Sequence, residues 1–267
     1  MPIDSFRRGI LALGCSALLA GCNPTYVSGR VLNTSGETLP GVTVSLAGAD
    51  NEVLTGVLGE YRLQGTPGEH ELAFAKSGYA PARLAIDFPG AGGAEAEPVT
   101  LWQLPSKAGV YIFEAGRYLE LARETPGVFV LAPGEKVHAI QRPPRLATDA
   151  SNPFIVCYAT PRHDVRLSRL DQADAMLGMN PESKIPVWIA AGTMGATLRS
   201  IDEPGGMLLR LDLDRPLEPG VYAVHWGAMD GRTTLDDRAF LFEVTGPMEP
   251  PGPLESIEPE GAEMEAP

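Results

Sequence analysis

Cysteine is scarce in this sequence: among 267 residues only Cys15, Cys22 and Cys157 carry a thiol. A secreted fold stapled by disulfides shows an even, spaced set, so this one must rest on apolar packing. Cys157 lies in the run Phe154-Ile155-Val156-Cys157-Tyr158, which reads as a buried, inert thiol rather than a nucleophile. Histidine is also sparse. His70, His138, His163 and His225 include no His-x-x-Glu and no His-Glu-x-x-His spacing, which excludes the usual zinc-peptidase arrangement. Gly-x-Ser-x-Gly, Gly-x-Gly-x-x-Gly and a phosphate loop are missing too. Gly192-Thr193-Met194-Gly195 and Gly205-Gly206 read as turns. Positive charge is in short supply, with 21 Lys and Arg against 34 Asp and Glu and a net charge of -13. A nucleic-acid partner, which needs clustered cations, is therefore not expected. These absences predict no catalytic residues, no metal and no cofactor.

Gly 30 and Pro 25 are plentiful and spread along the chain, against an apolar fraction of 44%. Such punctuation suits many short strands joined by tight turns. The predicted fold class is all-β, with two antiparallel β-sandwich domains of transthyretin- or immunoglobulin-like type in tandem. The predicted division is 1–21 as a signal segment, 22–103 and 104–246 as sandwich domains, and 247–267 as an acidic Pro- and Glu-rich tail without order of its own.

The amino terminus has the three parts of an export signal. Arg7 and Arg8 give a positive end, although Asp4 sits among them, and Ile10–Leu19 is an apolar run too short to span a bilayer comfortably. It closes on Leu19-Ala20-Gly21-Cys22, which resembles the bacterial lipobox. That resemblance implies cleavage between Gly21 and Cys22 and attachment of a lipid to the Cys22 thiol. Two or three acyl chains, each buried methylene contributing about 0.8 kcal/mol, make such an anchor effectively permanent. Asn23 rather than aspartate after the cysteine points to the outer membrane of a Gram-negative bacterium.

From residue 25 to 103 apolar residues alternate, as in Val27/Val31, Val42/Val44/Leu46, Tyr61/Leu63, Leu72/Phe74 and Leu84/Ile86/Phe88. Turn residues separate them at Gly36, Pro40-Gly41, Gly59, Pro67-Gly68 and Ser77-Gly78. The ordered set Val27-Ser28-Gly29-Arg30-Val31, Leu39-Pro40-Gly41-Val42-Thr43-Val44, Gly59-Glu60-Tyr61-Arg62-Leu63, Pro67-Gly68 and Ser77-Gly78-Tyr79 resembles the carboxypeptidase regulatory-like domain. The resemblance implies a seven-stranded, non-catalytic sandwich. Two departures stand out: Thr55 is followed by Gly56-Val57-Leu58 where the family has Thr-Asp or Thr-Asn, and His70 takes the corner position usually held by tyrosine.

The following stretch is again strand-like, at Val110–Phe113, Tyr118–Leu121, Val128–Leu131, Val137–Ile140, Phe154–Tyr158, Val165–Leu170, Val187–Ala190 and Met207–Leu213. Asp171 to Met179 is the one segment with a short-helix pattern, capped by Asp171. Pro219-Gly220-Val221-Tyr222, then Phe240–Val244, reads as a tyrosine corner and closing strand. Met176, Met179, Met194 and Met229 with His163 and His225 lack the close repeat of copper carriers and read as core filling. Trp102, Trp188 and Trp226 leave a sugar-stacking platform as an alternative. Taken together, the sequence predicts a non-enzymatic, membrane-tethered envelope module that binds a protein or polysaccharide. The rival is an envelope hydrolase or metal-binding protein, which requires His138, His163 and His225 to converge with carboxylates in one cleft.

Overall fold

The computed structural model describes residues 25–48, 50–177, 180–202, 205–230 and 236–246. Residues 1–24, with the predicted signal segment and Gly21 and Cys22, and the tail from 247 lie outside the described residues. Among those described the chain is all-β, apart from one turn of 3-10 helix at Ala228–Asp230.

The first sandwich holds β1 (Thr25–Asn33), β2 (Thr43–Leu46), β3 (Glu52–Leu54), β4 (Glu60–Gly65), β5 (Gly68–Ala75), β6 (Ala82–Phe88), β7 (Gly93–Glu95) and β8 (Val99–Leu101). One sheet runs β4-β1-β7 with β8 also on β1, and the other runs β3-β2-β5-β6. Pairing is antiparallel except where β7 and β8 lie parallel to the two halves of β1. The alternation read in the sequence is the reason for the core: Val27, Val31, Val44, Leu63, Leu72 and Phe74 are fully buried between the sheets.

The second sandwich begins with β9 (Gly109–Glu114), β10 (Arg117–Glu120), β11 (Ala122–Glu124), β12 (Gly127–Leu131), β13 (Glu135–Ile140), β14 (Ala147–Thr148) and β15 (Ile155–Tyr158). It continues with β16 (Arg166–Leu177), β17 (Asn180–Met194), β18 (Ala196–Ser200), β19 (Leu208–Leu213), β20 (Gly220–His225) and β21 (Ala239–Val244). One sheet is β10-β9-β15-β19-β18; the other is built on β11-β21-β20-β16 and carries β14 parallel on β21. Ile112, Ile155, Leu167, Tyr222, Val224 and Phe242 fill the space between them. β20 is buried on both faces, since Val221 and Ala223 pack on Ile140, Met229 and Leu241 behind it. This explains its unbroken apolar run.

Two expectations are corrected here. Asp171 to Leu177 forms no helix; it is the outer half of β16, paired along its length with β17, and Gly178 and Met179 lie outside the described residues. Cross-strand partners override a local helix pattern that buries no stripe of its own. Gly192, Thr193 and Met194 are likewise the end of β17 rather than a turn, and the strand breaks only at Gly195. The Gly205 turn is present, with φ 95°.

Beyond the sandwich, β16 and β17 close a ring with β12 and β13. β12 pairs β13 and β16, and β13 pairs β17. Ala139, Ala175 and Val187 are fully buried within it, and Phe129, Leu131, Val137, Ile185 and Ile189 pack partly buried against them.

Residues 102–104 join the two sandwiches without slack. The Ala80 amide donates to the Trp102 carbonyl at 2.7 Å, and the Leu104 amide to the Gly78 carbonyl at 2.8 Å. From the other side the Tyr118 hydroxyl donates to the Gln103 carbonyl at 2.7 Å. Trp102 stacks on Phe154 at 5.3 Å and packs on Phe113 at 4.9 Å, so an aromatic cluster fills the joint.

Candidate functional site

Thr25, three residues after Cys22 in the sequence, is buried at the start of β1, and its hydroxyl donates to the Gly65 carbonyl. Thr25 pairs with Gly65, while Val31 to Asn33 pair with β8, which leads directly to the joint. The nine residues of β1 span about 30 Å at the usual strand rise. The described chain therefore begins at one end of the first sandwich, and the second sandwich is held at the other.

The four histidines do not gather. His70 is on β5, His138 on β13, and His163 in an exposed loop, while His225 is buried on β20. Among the described residues no three His, Cys, Asp or Glu side chains are placed to hold a metal ion. The methionines are dispersed as well: Met229 packs behind β20 and Met194 against the inter-sheet core. Of the tryptophans, Trp226 is buried, its indole N–H donating to the Pro161 carbonyl at 2.9 Å. Trp188 packs behind β20 and Trp102 is committed to the joint, so the three form no common platform.

One pair imitates a catalytic dyad. Ser168 Oγ and His225 Nε2 are 2.9 Å apart, both residues fully buried, and Asp230 lies near enough to act on the imidazole. The geometry is locked in the wrong sense. His225 Nδ1 accepts the Gly227 amide at 3.0 Å, so the ring proton sits on Nε2 and is donated to Ser168. A base that activates serine must accept at that nitrogen. Burial also pushes the imidazole down to about 4, with Arg166 acting in the same sense and Asp230 opposing. Arg166 in turn is ion-paired to Asp230. The pair is a neutral, internal hydrogen bond that ties β16 to β20. Cys157 is equally inert, free and fully buried, with burial pushing its thiol up to about 12.

Three corners share one device. The Tyr222 hydroxyl donates to the Glu218 carbonyl at 2.8 Å and the Tyr111 hydroxyl to the Lys107 carbonyl at 2.6 Å. His70 Nε2 reaches the Thr66 carbonyl at 2.9 Å. In each, a glycine two residues before the ring opens the strand, and the ring bonds back four residues. Tyr222 matches its expected corner, and His70 makes the same four-residue back-contact in the first sandwich. Tyr111 was missed, although Gly109-Val110-Tyr111 has the same spacing as Gly220-Val221-Tyr222.

Elsewhere in the first sandwich, Thr55 is buried and pins the loop, donating to the Leu39 carbonyl at 2.7 Å and accepting the Val42 amide at 2.9 Å. Gly59, at φ 69°, lies so close to β1 that an added Cβ would clash with the Val31 carbonyl oxygen. These fixed points fall at the positions from which the sequence resemblance was drawn. Residues 26–101 match the family model of the carboxypeptidase regulatory-like domain. The departure after Thr55 leaves the regulatory-like domain with Val57 and Leu58 exposed at 81% and 61%, while the Glu60 carboxylate folds back to accept the Leu58 amide at 2.9 Å.

No curated protein matches the sequence. Among solved structures the chain is similar to a type II cohesin–X-dockerin complex from Acetivibrio cellulolyticus, at 20% identity and TM-score 0.27 over 30% of this chain and 58% of that one. It is similar to a streptococcal ancillary pilin at 12% identity and TM-score 0.26, over 84% of this chain and 61% of that one. A DUF3823 family protein from Parabacteroides merdae aligns over 84% of this chain and all of its own length, at 13% identity and TM-score 0.23. The alignments thus span about 58% and 61% of the first two chains.

The second sandwich carries a polar cleft of about 400 Å³ that the sequence did not announce. Arg169 pairs with Gly192 and Leu170 with Ala190, so Ala191 is an extra residue that bulges β17 outward. The bulge opens a space lined by Arg169, Asp171, Thr193, Arg215, Glu218 and Tyr222. Arg169 is ion-paired to Glu218 at 3.0 Å, and the Glu218 side chain is 79% exposed. Arg215 donates to the Met194 sulfur at 3.7 Å. Burial raises the Tyr222 hydroxyl above its ordinary value, while Arg169 and Arg215 act the other way. Both guanidiniums are therefore within electrostatic reach of that one hydroxyl.

Proposed function

We propose that this chain is a non-enzymatic, lipid-anchored envelope module in which the regulatory-like domain, 22–103, serves as a spacer that holds the 104–246 domain off the membrane for binding or assembly. The observation that carries the reading is the placement of the two chain ends of β1: the segment from Cys22 enters at Thr25, and the clamped joint to the second sandwich lies at the Asn33 end, about 30 Å away by strand rise. A tether at the first end and a rigid joint at the second suit presentation rather than chemistry. The locked tautomer of His225 and the buried thiol of Cys157 support the same reading. The outer membrane of a Gram-negative cell is the proposed location, and an envelope protein or polysaccharide the proposed partner.

The test is to express the full chain and Cys22→Ala in a Gram-negative host, fractionate the membranes and weigh the mature protein by mass spectrometry. The reading predicts a mature chain that begins at an acylated Cys22, and release or stalled processing in the variant. A variant that is still processed and still membrane-bound defeats it.

A further inference from the structure

We propose that the cleft at the β17 bulge is a carboxylate-binding site for an acidic peptide segment, a role that goes beyond anchoring and stands without it. Arg215 is the first reason. Among the described residues its one hydrogen bond goes to the Met194 sulfur, a weak acceptor that leaves most of a guanidinium's five donors available. Arg169 is the second, since its internal partner Glu218 is 79% exposed and an incoming carboxylate can displace a pair so well solvated. Both cations line the one cleft together with Thr193, and guanidiniums are the donors that carboxylates take in two-point fashion.

The floor favours peptide over sugar. Tyr222 is 1% exposed and its ring is stacked on Phe242 at 5.7 Å, so it offers no open aromatic face for a pyranose. Asp171, on the rim, suits a backbone or side-chain N–H of the same ligand. The protein's net charge of -13 repels acidic ligands at long range, but at physiological salt that field is screened beyond about 8 Å while a direct ion contact persists. One source of such carboxylates is close at hand. Gly246 lies against Pro219, its Cβ position 3.0 Å from the proline ring, next to Glu218; the sequence beyond it contains glutamates from Glu249 to Glu265 and no Lys or Arg. A partner's acidic segment is the other source, with the same chemistry.

The probe is a fluorescein-labelled synthetic peptide of residues 247–267, titrated at 150 mM salt against the full chain and against the full chain with its glutamates after Gly246 changed to Gln. The Gln form is expected to bind the peptide. In that background Arg215→Gln and Arg169→Gln each weaken binding about tenfold, the loss expected for one charge-assisted pair. Glu218→Gln, which frees Arg169, tightens it, a change that a purely structural role for these residues does not produce. Arg199→Gln, on β18 outside the cleft, leaves it unchanged. Weaker binding by the unaltered chain than by the Gln form shows its own glutamates competing for the cleft; equal binding assigns the site to another chain's carboxylates. The proposal is overturned if the Gln form does not bind, if Arg215→Gln binds like its parent, or if oligogalacturonate binds more tightly than the peptide. None of these readouts depends on Cys22.

Discussion

Acidification is the perturbation that the Ser168–His225 pair should feel most. His225 is fully buried and neutral, its imidazole pushed down to about 4 from an ordinary 6.5. In the unfolded chain it takes a proton at about 6.5, so between these values the unfolded state binds more protons and stability rises with pH. The contribution is whole above pH 6.5, falls as pH drops, and is lost by about pH 4. At pH 5 the unfolded imidazole is nearly all charged and the folded one is about one-tenth charged, which costs about 2 kcal/mol relative to pH 7.5. The full loss is about 3 kcal/mol. The assay is urea unfolding of the wild type and His225→Gln from pH 7.5 to 4.5, where the difference between the two curves isolates this group from the carboxylates. The wild type should lose about 2 kcal/mol more than the variant between pH 7.5 and 5. Parallel curves would refute the reasoning, and so would a wild-type His225 ring that titrates above pH 6 by NMR.

Tyr222→Phe should cost about 1 kcal/mol, the worth of one partly buried hydrogen bond, because the ring keeps its stacking on Phe242; the urea midpoint should fall with the slope unchanged. Ala175→Leu should overpack the four-strand ring around Ala139 and Val187 and destabilise by about 1–3 kcal/mol, whereas the same change at exposed Ala191 should be near neutral by thermal melting. Cys157, with its thiol pushed up to about 12, should resist a thiol reagent in the native protein at pH 8 and react fully in urea; fast native labelling would show that the core around it opens. Gly59→Ala should cost more than an ordinary loop substitution, since the added methyl meets the Val31 carbonyl and φ is 69°, and the same unfolding assay reads it.

Much of the fold was legible because the signals are local. Alternation at Val42/Val44/Leu46 and Leu72/Phe74 marks strands whose one face is buried, and Pro-Gly pairs mark the corners before His70 and Tyr222. The errors fell where local pattern was outvoted by partners. Asp171 to Leu177 has helical spacing, but it became strand because β17 and β12 pair with it on either side. Gly192 to Met194 looked like a turn, yet β17 runs through it to reach β16.

By itself, then, the sequence determined the all-β class, the corners at His70 and Tyr222, the inert thiol and the regulatory-like domain, each marked by short motifs whose residues lie within a few positions of one another. Only the tertiary structure decided that Ser168 meets His225 across β16 and β20, that Trp102 locks two sandwiches together, and that Arg169 and Arg215 share a cleft. The two partners in these contacts lie 46 to 57 positions apart, with Trp102 and Phe154 of the joint separated by 52. They are set by strand register and by one bulged residue, and neither leaves a mark that can be read along the chain.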